Sequence, residues 1–390
     1  MPQDNIHDLA TLLLSDSGSV EAALDLSALG DTQSYGDLVL LWKELLACAN
    51  VGAAPLETCA AAAELVLSEL SLCEGAKSTE AVMSLLRHEG MAKLHPGQAR
   101  DLLIRWIASR LGYAQPRELL LSLLADSPVA GSEDASRTEV LACWMHERIL
   151  RGDGLPEAAA RAFQERLAAL GHPLASMPLS LTSEEREAKT YLPMYGTEAI
   201  EAAVEALDHG PTSLHSLPPP DGASPPAATT VTNEDLSRRM KEAVSPWTLD
   251  ANGRVEAAVF TLAPPVTEGL GRSLLRALPL ESPKGDGLLL SSVTTEVVWG
   301  ALFAAGANGG ASSQGLGGAY GRRTAWTSLG ALLGLPEAAT IEEVSRAARK
   351  ATFAMFGGTK FFSDVAWDLG VVALREGGAS IAVLAATDSD

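Results

Sequence analysis

Arg322 and Arg323 close a glycine-rich stretch, Gly306 to Arg323 (GANGGASSQGLGGAYGRR), that runs directly into the helical pattern TAWTSLGALL. A glycine loop feeding a helix N-terminus presents backbone N–H groups and the positive end of the helix dipole, a combination that binds anions. Two guanidinium groups at that end suit phosphate or carboxylate, because arginine donates through a planar fork. Ser312, Ser313, Gln314 and Tyr320 add neutral hydrogen-bonding groups. Both arginines can serve one anion only if they lie in the loop, since adjacent residues of a helix diverge by about 100°. Neither standard phosphate loop fits: G-x-G-x-x-G fails at Tyr320, and G-x-x-x-x-G-K-[ST], started at Gly310, meets Leu316 where lysine is required.

A second set is Asp364, Trp367, Asp368 and Arg375 in FFSDVAWDLGVVALR. Read as a helix over Phe362 to Leu374, this stretch puts Asp364 and Asp368 four apart on one face, with Trp367 beside them. That spacing suits acid–base work on a substrate, and it is equally common on solvated helices. Imidazole and thiolate are missing from this part of the chain. All seven histidines and all four cysteines lie at or before His215, and the last 160 residues contain neither. There is no C-x-x-C, H-E-x-x-H or G-x-S-x-G; His146 in CWMHERIL and His88 in LLRHEG stand alone. The expectation is therefore no metal, no cofactor and four buried free thiols.

The elements that position these groups follow from periodicity. From residue 4 to about 208 the chain reads as successive amphipathic helices: Leu38, Leu41, Trp42 and Leu45 share one face, as do Leu103, Ile104, Ile107 and Leu111. Ser78-Thr79-Glu80 signals a helix start, and Pro116 sits at the first turn of the next helix, which ends at Leu124. DLATLLLSDS, AVMSLLRHEG and ELLLSLLADS resemble one another without a regular period, so the expected form is an irregular helical array or a bundle. One more helix is expected at Glu198 to Asp208. The proline-rich seam at 211–230 (PTSLHSLPPPDGASPPAATT) then reads as extended linker.

Beyond the seam the period changes. Arg254 to Leu262 and Ser380 to Ala386 read as strands, Leu288 to Val293 and Thr352 to Phe356 as weaker ones. Helices are expected over Leu236 to Val244, Gly269 to Leu278, Val297 to Ala305, Thr324 to Leu333, Ile341 to Lys350 and Phe362 to Leu374. Thr352 to Phe356, the helix through Leu374 and Ser380 to Ala386 form the best βαβ candidate. The expected protein is α-rich with two domains: an acidic helical array or bundle over 1–210, the linker 211–230, and an α/β or α+β domain with a small sheet over 231–390.

Charge separates the halves. The chain carries a net −20, and 32 acidic against 15 basic side chains precede residue 231. Such a surface repels phosphate backbones, which excludes nucleic acid as its partner and leaves a basic protein surface as the complement. No apolar run approaches the roughly 20 residues of a membrane span. The first residues, MPQDNIHDLATLLLSD, lack the basic region of a secretory signal, so a cytoplasmic protein is expected.

The segments GGAYGRRTAWTSLGALLG (317–334), FFSDVAWDLGVVALREGG (361–378) and IAVLAATDSD (381–390) together resemble the C-terminal part of an uncharacterised bacterial protein family, a domain of unknown function. The resemblance implies no activity. Two functions are expected from the residues themselves: an interaction protein using the acidic helical surface, or a small-molecule site at the glycine loop with Arg322, Arg323, Asp364 and Asp368.

Overall fold

The computed structural model describes residues 3–15, 35–126, 135–188, 225–249, 251–267, 269–311, 313–363 and 367–389. Ser312, Asp364, the expected helix at 198–208 and most of the seam lie outside the described residues. The chain falls into two compact units, Met1–Ala175 and Ser176–Asp390. The division lies N-terminal of the proline-rich seam, and residues 227–230 at the seam's end are a strand of the second unit's sheet.

The first unit is helical throughout its described residues. Its elements are α1 (Gln3–Leu13), α2 (Tyr35–Val51), α3 (Leu56–Leu72), α4 (Ala76–Arg87), α5 (Glu89–Leu94), α6 (Gln98–Ala114), α7 (Arg117–Ala125), α8 (Ala135–Leu150) and α9 (Ala158–Ala169). The periodic residues bury as their spacing requires: Leu38, Leu41, Trp42 and Leu45 of α2, and Leu103, Ile104, Ile107 and Leu111 of α6. Each such side chain contributes roughly 1.5–3 kcal/mol on leaving water. Helix α4 starts ahead of the expected Ser78 cap, with Gly75 at its N-cap, and the Ser78 hydroxyl donates back to the Gly75 carbonyl at 2.8 Å. Pro116 is the N-cap of α7, as its missing N–H favours.

Buried Gln115 ties three helix ends together. Its Oε1 accepts from Gly75 N at 2.8 Å, and its Nε2 donates to the carbonyls of Ser71 and Cys73 at 3.0 and 2.8 Å. The C-terminal end of α3 is thereby fixed beside that of α6. Terminal carbonyls that no helix can satisfy are bonded here by one side-chain amide.

The second unit is an antiparallel six-stranded sheet with helices on both faces. It comprises α10 (Ser183–Glu187), β1 (Ala227–Thr230), α11 (Glu234–Met240), a 3-10 turn (Glu242–Trp247), β2 (Arg254–Ala263), α12 (Arg272–Ala277), β3 (Leu289–Val293), α13 (Thr295–Asn308), α14 (Gly317–Leu332), α15 (Ile341–Ala348), β4 (Thr352–Gly357), β5 (Asp368–Leu374) and β6 (Ser380–Thr387). Strand order is β1-β2-β6-β5-β4-β3. The register sets Phe260 opposite Ile381 in the β2–β6 pair and Val372 opposite Val383 in the β5–β6 pair.

This corrects two expectations. Asp368 to Leu374 is a strand, and the expected βαβ unit is a β4–β5–β6 meander. Residues 369–374 are buried on both faces of the sheet, and a continuous apolar run carries no period to separate strand from helix. Sheet alternation gives each face its own core. Phe260, Phe356, Val372, Ile381 and Val383 pack on one side with Leu274 and Leu275 of α12 and with Phe361 and Phe362. The other face carries Val259, Val371, Ala382 and Leu384 and is met by α11, α13, α14 and the 3-10 turn.

Candidate functional site

Both arginines expected in the loop lie inside a helix. Glycine 317 opens α14, which continues without interruption through Arg322 and Arg323 to Leu332. The reason is close packing: a Cβ on Gly321 would stand 2.6 Å from the Ala307 Cβ, so this glycine lets α14 press on α13. Helical geometry then splays the two side chains, and each takes a different carboxylate. The expected convergence of Arg322 and Arg323 on one anion is not met.

Arg322 is fully buried against fully buried Glu185 of α10. Its Nε donates to Glu185 Oε1 at 2.7 Å and its Nη2 to Oε2 at 2.9 Å, a bidentate pair. The same guanidinium donates to the carbonyls of Pro178 and Ser180 at 2.9 and 3.0 Å. Trp326 Nε1, one turn along α14, donates to Glu185 Oε1 at 2.8 Å. Glu185 also completes a capping box: its Oε2 accepts from Thr182 N at 2.8 Å, and its own N donates to Thr182 Oγ1 at 3.1 Å. A buried charge pair is tolerable only when its donors and acceptors are met in this way.

Glu184, next to it, receives the Ser345 hydroxyl and pairs with Arg349 at 3.2 Å. Burial pushes its carboxyl up, but the bonds from Ser345, its own backbone N–H and Ser183, with the charge of Arg349, outweigh that and hold it below the ordinary value. Arg323, half-buried, reaches Glu242 at 3.4 Å. Burial raises the Glu242 carboxyl against the opposing pull of Arg323 and Arg238.

The glycine loop does hold an anion, and it belongs to the chain. Asp388, just past β6 and 1% exposed, places Oδ2 at 2.9 Å from Ala311 N, while its own N donates to the Trp367 carbonyl at 3.0 Å. A Cβ on Gly310 would fall 2.0 Å from that Oδ2, so only glycine admits the carboxylate. Ser313 Oγ accepts from Gly310 N at 2.9 Å, and the Trp247 indole donates to the Gly309 carbonyl at 3.0 Å. Asp388 Oδ1 is buried without a hydrogen-bond partner.

The remaining expected site residues separate. Asp368 starts β5 opposite Thr387 and accepts from its hydroxyl at 2.6 Å. Trp367 and Asp388 lie just outside β5 and β6, joined by the bond from Asp388 N to the Trp367 carbonyl. Gln314 is exposed, Tyr320 is buried within α14, and Arg375 caps the far end of that helix through the Leu332 and Ala331 carbonyls at 2.9 and 3.3 Å. Burial lowers the Arg375 pKa, and the negative end of the helix dipole suits the charge.

Glu185 and Asp388 were not among the expected site residues. Glu185 had a signal, the T-x-x-E capping box at Thr182–Glu185, but nothing in sequence names its partner 137 positions away. Among the described residues no group of three or more histidine, cysteine, aspartate or glutamate side chains is placed to hold a metal ion. The thiols of Cys48, Cys59, Cys73 and Cys143 are all raised by burial, Cys143 furthest, which suppresses the reactive thiolate.

A different arrangement lies on the first unit. Arg110 of α6 pairs with Glu69 of α3 at 3.9 Å. Leu65, Glu69 and Leu72 are spaced i, i+4, i+7 on α3, and Trp106, Arg110 and Tyr113 are spaced the same way on α6. Leu65 is 45% and Tyr113 60% exposed, and Leu72 and Trp106 are half-buried. Each ring carries a guanidinium: Arg110 lies 5.5 Å from the Trp106 ring centre, and Arg151, just past the end of α8, lies 5.8 Å from that of Tyr113.

Compared with known proteins, residues 25–390 match the model of a family of unknown function, DUF6183. The chain belongs to that family. The match takes in the last 75 or so residues that carry the resemblance and extends across both units. No curated protein and no solved structure matches the chain. Family membership therefore assigns no role to Arg322, Asp388 or the α3–α6 face, and their function is argued from geometry.

Proposed function

We propose that this DUF6183 protein is a cytoplasmic interaction protein that engages another protein through its acidic helical unit. The observation that carries the reading is the set of exposed or half-buried apolar and aromatic side chains on α3 and α6, Leu65, Trp106 and Tyr113, with Arg110 among them. Tryptophan, tyrosine and arginine are the residues in which binding energy concentrates at protein interfaces. Tyr113 presents a large, rigid ring to solvent at 60% exposure. No helix among the described residues is long and apolar enough to cross a membrane.

The competing reading, an anionic ligand at the glycine loop, meets a physical objection. Asp388 already places a carboxylate against Ala311 N, and a second anion there would face like-charge repulsion in a dry setting. Arg322 is fully committed to Glu185 and two carbonyls. The C-terminal unit fits better as a companion domain.

The test is affinity purification of the full chain with chemical cross-linking. A stoichiometric protein partner cross-linked to residues 35–150 is expected. If no protein is retained and a phosphate- or carboxylate-bearing metabolite instead raises the melting temperature, the reading is wrong and the glycine loop regains its claim.

A further inference from the structure

We infer that Cys48 and Cys59 are a redox pair that closes a disulfide across the turn between α2 and α3. The inference concerns the helical unit alone and stands whether or not the interaction reading holds.

Spacing and packing set the two thiols at one level. Helices α2 and α3 are joined by the short turn 52–55 and pack on each other as an antiparallel hairpin. Cys48 lies three residues before the last residue of α2 and Cys59 three residues after the first of α3, so each stands equally far from the turn. Each also belongs to a buried stripe: Cys48 follows Leu38, Leu41 and Leu45 at helical spacing, and Cys59 begins the row Cys59, Ala63, Val66 and Leu70. Helices packed about 8–10 Å apart, with Cα atoms about 2.3 Å from each axis, put facing Cα atoms at roughly 4–6 Å, the separation a disulfide spans.

The turn itself ties the pair. Ala53 N donates to the Cys48 carbonyl at 3.0 Å, and Cys59 Sγ lies 4.0 Å from the carbonyl oxygen of Ala54, the next residue. Burial pushes the Cys59 thiol up, Cys48 adds to the rise, and the ammonium of Lys93 opposes it. Charge coupling of this kind fades with distance, which agrees with neighbouring sulfurs. Lys93 is held at this spot by Asn50 Oδ1 at 2.9 Å and the Ala49 carbonyl at 3.4 Å. The other two thiols are engaged elsewhere: Cys73 donates to the Glu69 carbonyl and Cys143 to Glu139 Oε1, each at 3.5 Å.

Access sets the order of events, since Cys48 is half-buried and Cys59 fully buried. The Cys48 thiolate attacks one sulfur of a small disulfide such as oxidised glutathione, whose S–S bond breaks and whose leaving thiolate takes a proton. Cys59 Sγ, its proton lost to solvent, then attacks the Cys48 sulfur of the mixed disulfide and expels the second glutathione as a thiol. Two protein thiols are oxidised and one small disulfide is reduced. Transient, redox-responsive bonds of this kind are the ones found in cytosolic proteins.

The experiment exposes the folded full chain to oxidised glutathione, alkylates the remaining thiols in denaturant and digests with a glutamate-specific protease. Glu44, Glu57 and Glu64 place Cys48 and Cys59 on separate peptides, so mass spectrometry reads a bond between them directly. A Cys48–Cys59 cross-link in most chains is expected, cleared by dithiothreitol, with Cys73 and Cys143 alkylated. Cys59→Ala should instead retain glutathione on Cys48, because no thiol resolves the mixed disulfide. Phenylarsine oxide, whose trivalent arsenic is chelated by two adjacent thiols, should bind the reduced chain and lose at least ~10-fold in affinity with either Cys48→Ala or Cys59→Ala, since each removes one arm of the chelate.

Three results would overturn the inference. One is a folded chain, intact by circular dichroism, that forms no Cys48–Cys59 bond in excess oxidant. Another is a bond that appears only in urea. The third is a Cys48 that links two chains to each other in place of joining Cys59.

Discussion

Replacing Arg322 by methionine should be among the most damaging single changes in the second unit. The substitution keeps the length and apolar stem of the side chain but removes four hydrogen bonds: two to Glu185 at 2.7 and 2.9 Å and one each to the Pro178 and Ser180 carbonyls at 2.9 and 3.0 Å. Glu185 stays fully buried and negatively charged, held only by Trp326 Nε1 and its capping-box N–H at 2.8 Å each. Breaking a buried pair on one side costs about 3–5 kcal/mol, because the surviving charge is left uncompensated. That is a large share of a stability of roughly 5–15 kcal/mol. Urea unfolding at neutral pH, followed by circular dichroism and tryptophan fluorescence, measures it. A companion double variant, Arg322→Met with Glu185→Leu, should recover part of the loss, since removing both charges removes the penalty. The reasoning fails if the single variant loses less than ~1 kcal/mol, or if the two substitutions simply add with no coupling.

Four further outcomes follow. Glu184 sits below the ordinary carboxyl value of 4.5, so the unfolded chain binds more protons than the native one as pH falls through that region; stability is lost there, and Glu184→Gln should flatten the acid limb of a stability–pH curve. Glu242 is raised above 4.5, so the native state binds more protons just above that value, stability falls as pH rises through its folded pKa, and Glu242→Gln should remove that slope. Gly310→Ala, with its Cβ 2.0 Å from the Asp388 carboxylate, should lower stability by about 1–3 kcal/mol in a thermal melt, whereas Gly357→Ala, which meets nothing within 4 Å, should cost little. Protease should cut first in the proline-rich 211–224, and because Glu185 stays bonded to Arg322 the nicked chain should elute as one species until denatured; separation under native conditions would contradict the docking of α10.

How much was legible depends on the range over which each signal acts. Local signals were readable: the helical faces of α2 and α6, the Pro116 cap, and β2 and β6 by their apolar content. The β5–β6 hairpin had a sequence mark too, Glu376-Gly377-Gly378 between two apolar runs, with both glycines at positive φ (82° and 69°). Read without that mark, Asp368 to Leu374 looks like a helix, because residues buried on both faces carry no alternation. The candidate site was harder. The glycine loop and its attraction for an anion could be read from residues 306–323, but not that Asp388 would supply the anion, since 77 positions separate it from Ala311.

Composition and periodicity by themselves determined that the chain is acidic and α-rich, with helices in its first half and a sheet in its second. Each of those statements depends on neighbours within a few residues, where spacing alone decides which side chains share a face. Tertiary structure decided the fate of the charges. Arg322 and Arg323 are adjacent in sequence, yet α14 turns one into a dry core toward Glu185 and the other toward Glu242 at a half-buried edge, because a helix advances about 100° per residue. It also decided where the proposed interaction surface lies. Leu65 and Trp106 belong to separate helices, which the Gln115 and Arg110–Glu69 bonds, each joining groups some 40 residues apart, help to hold together.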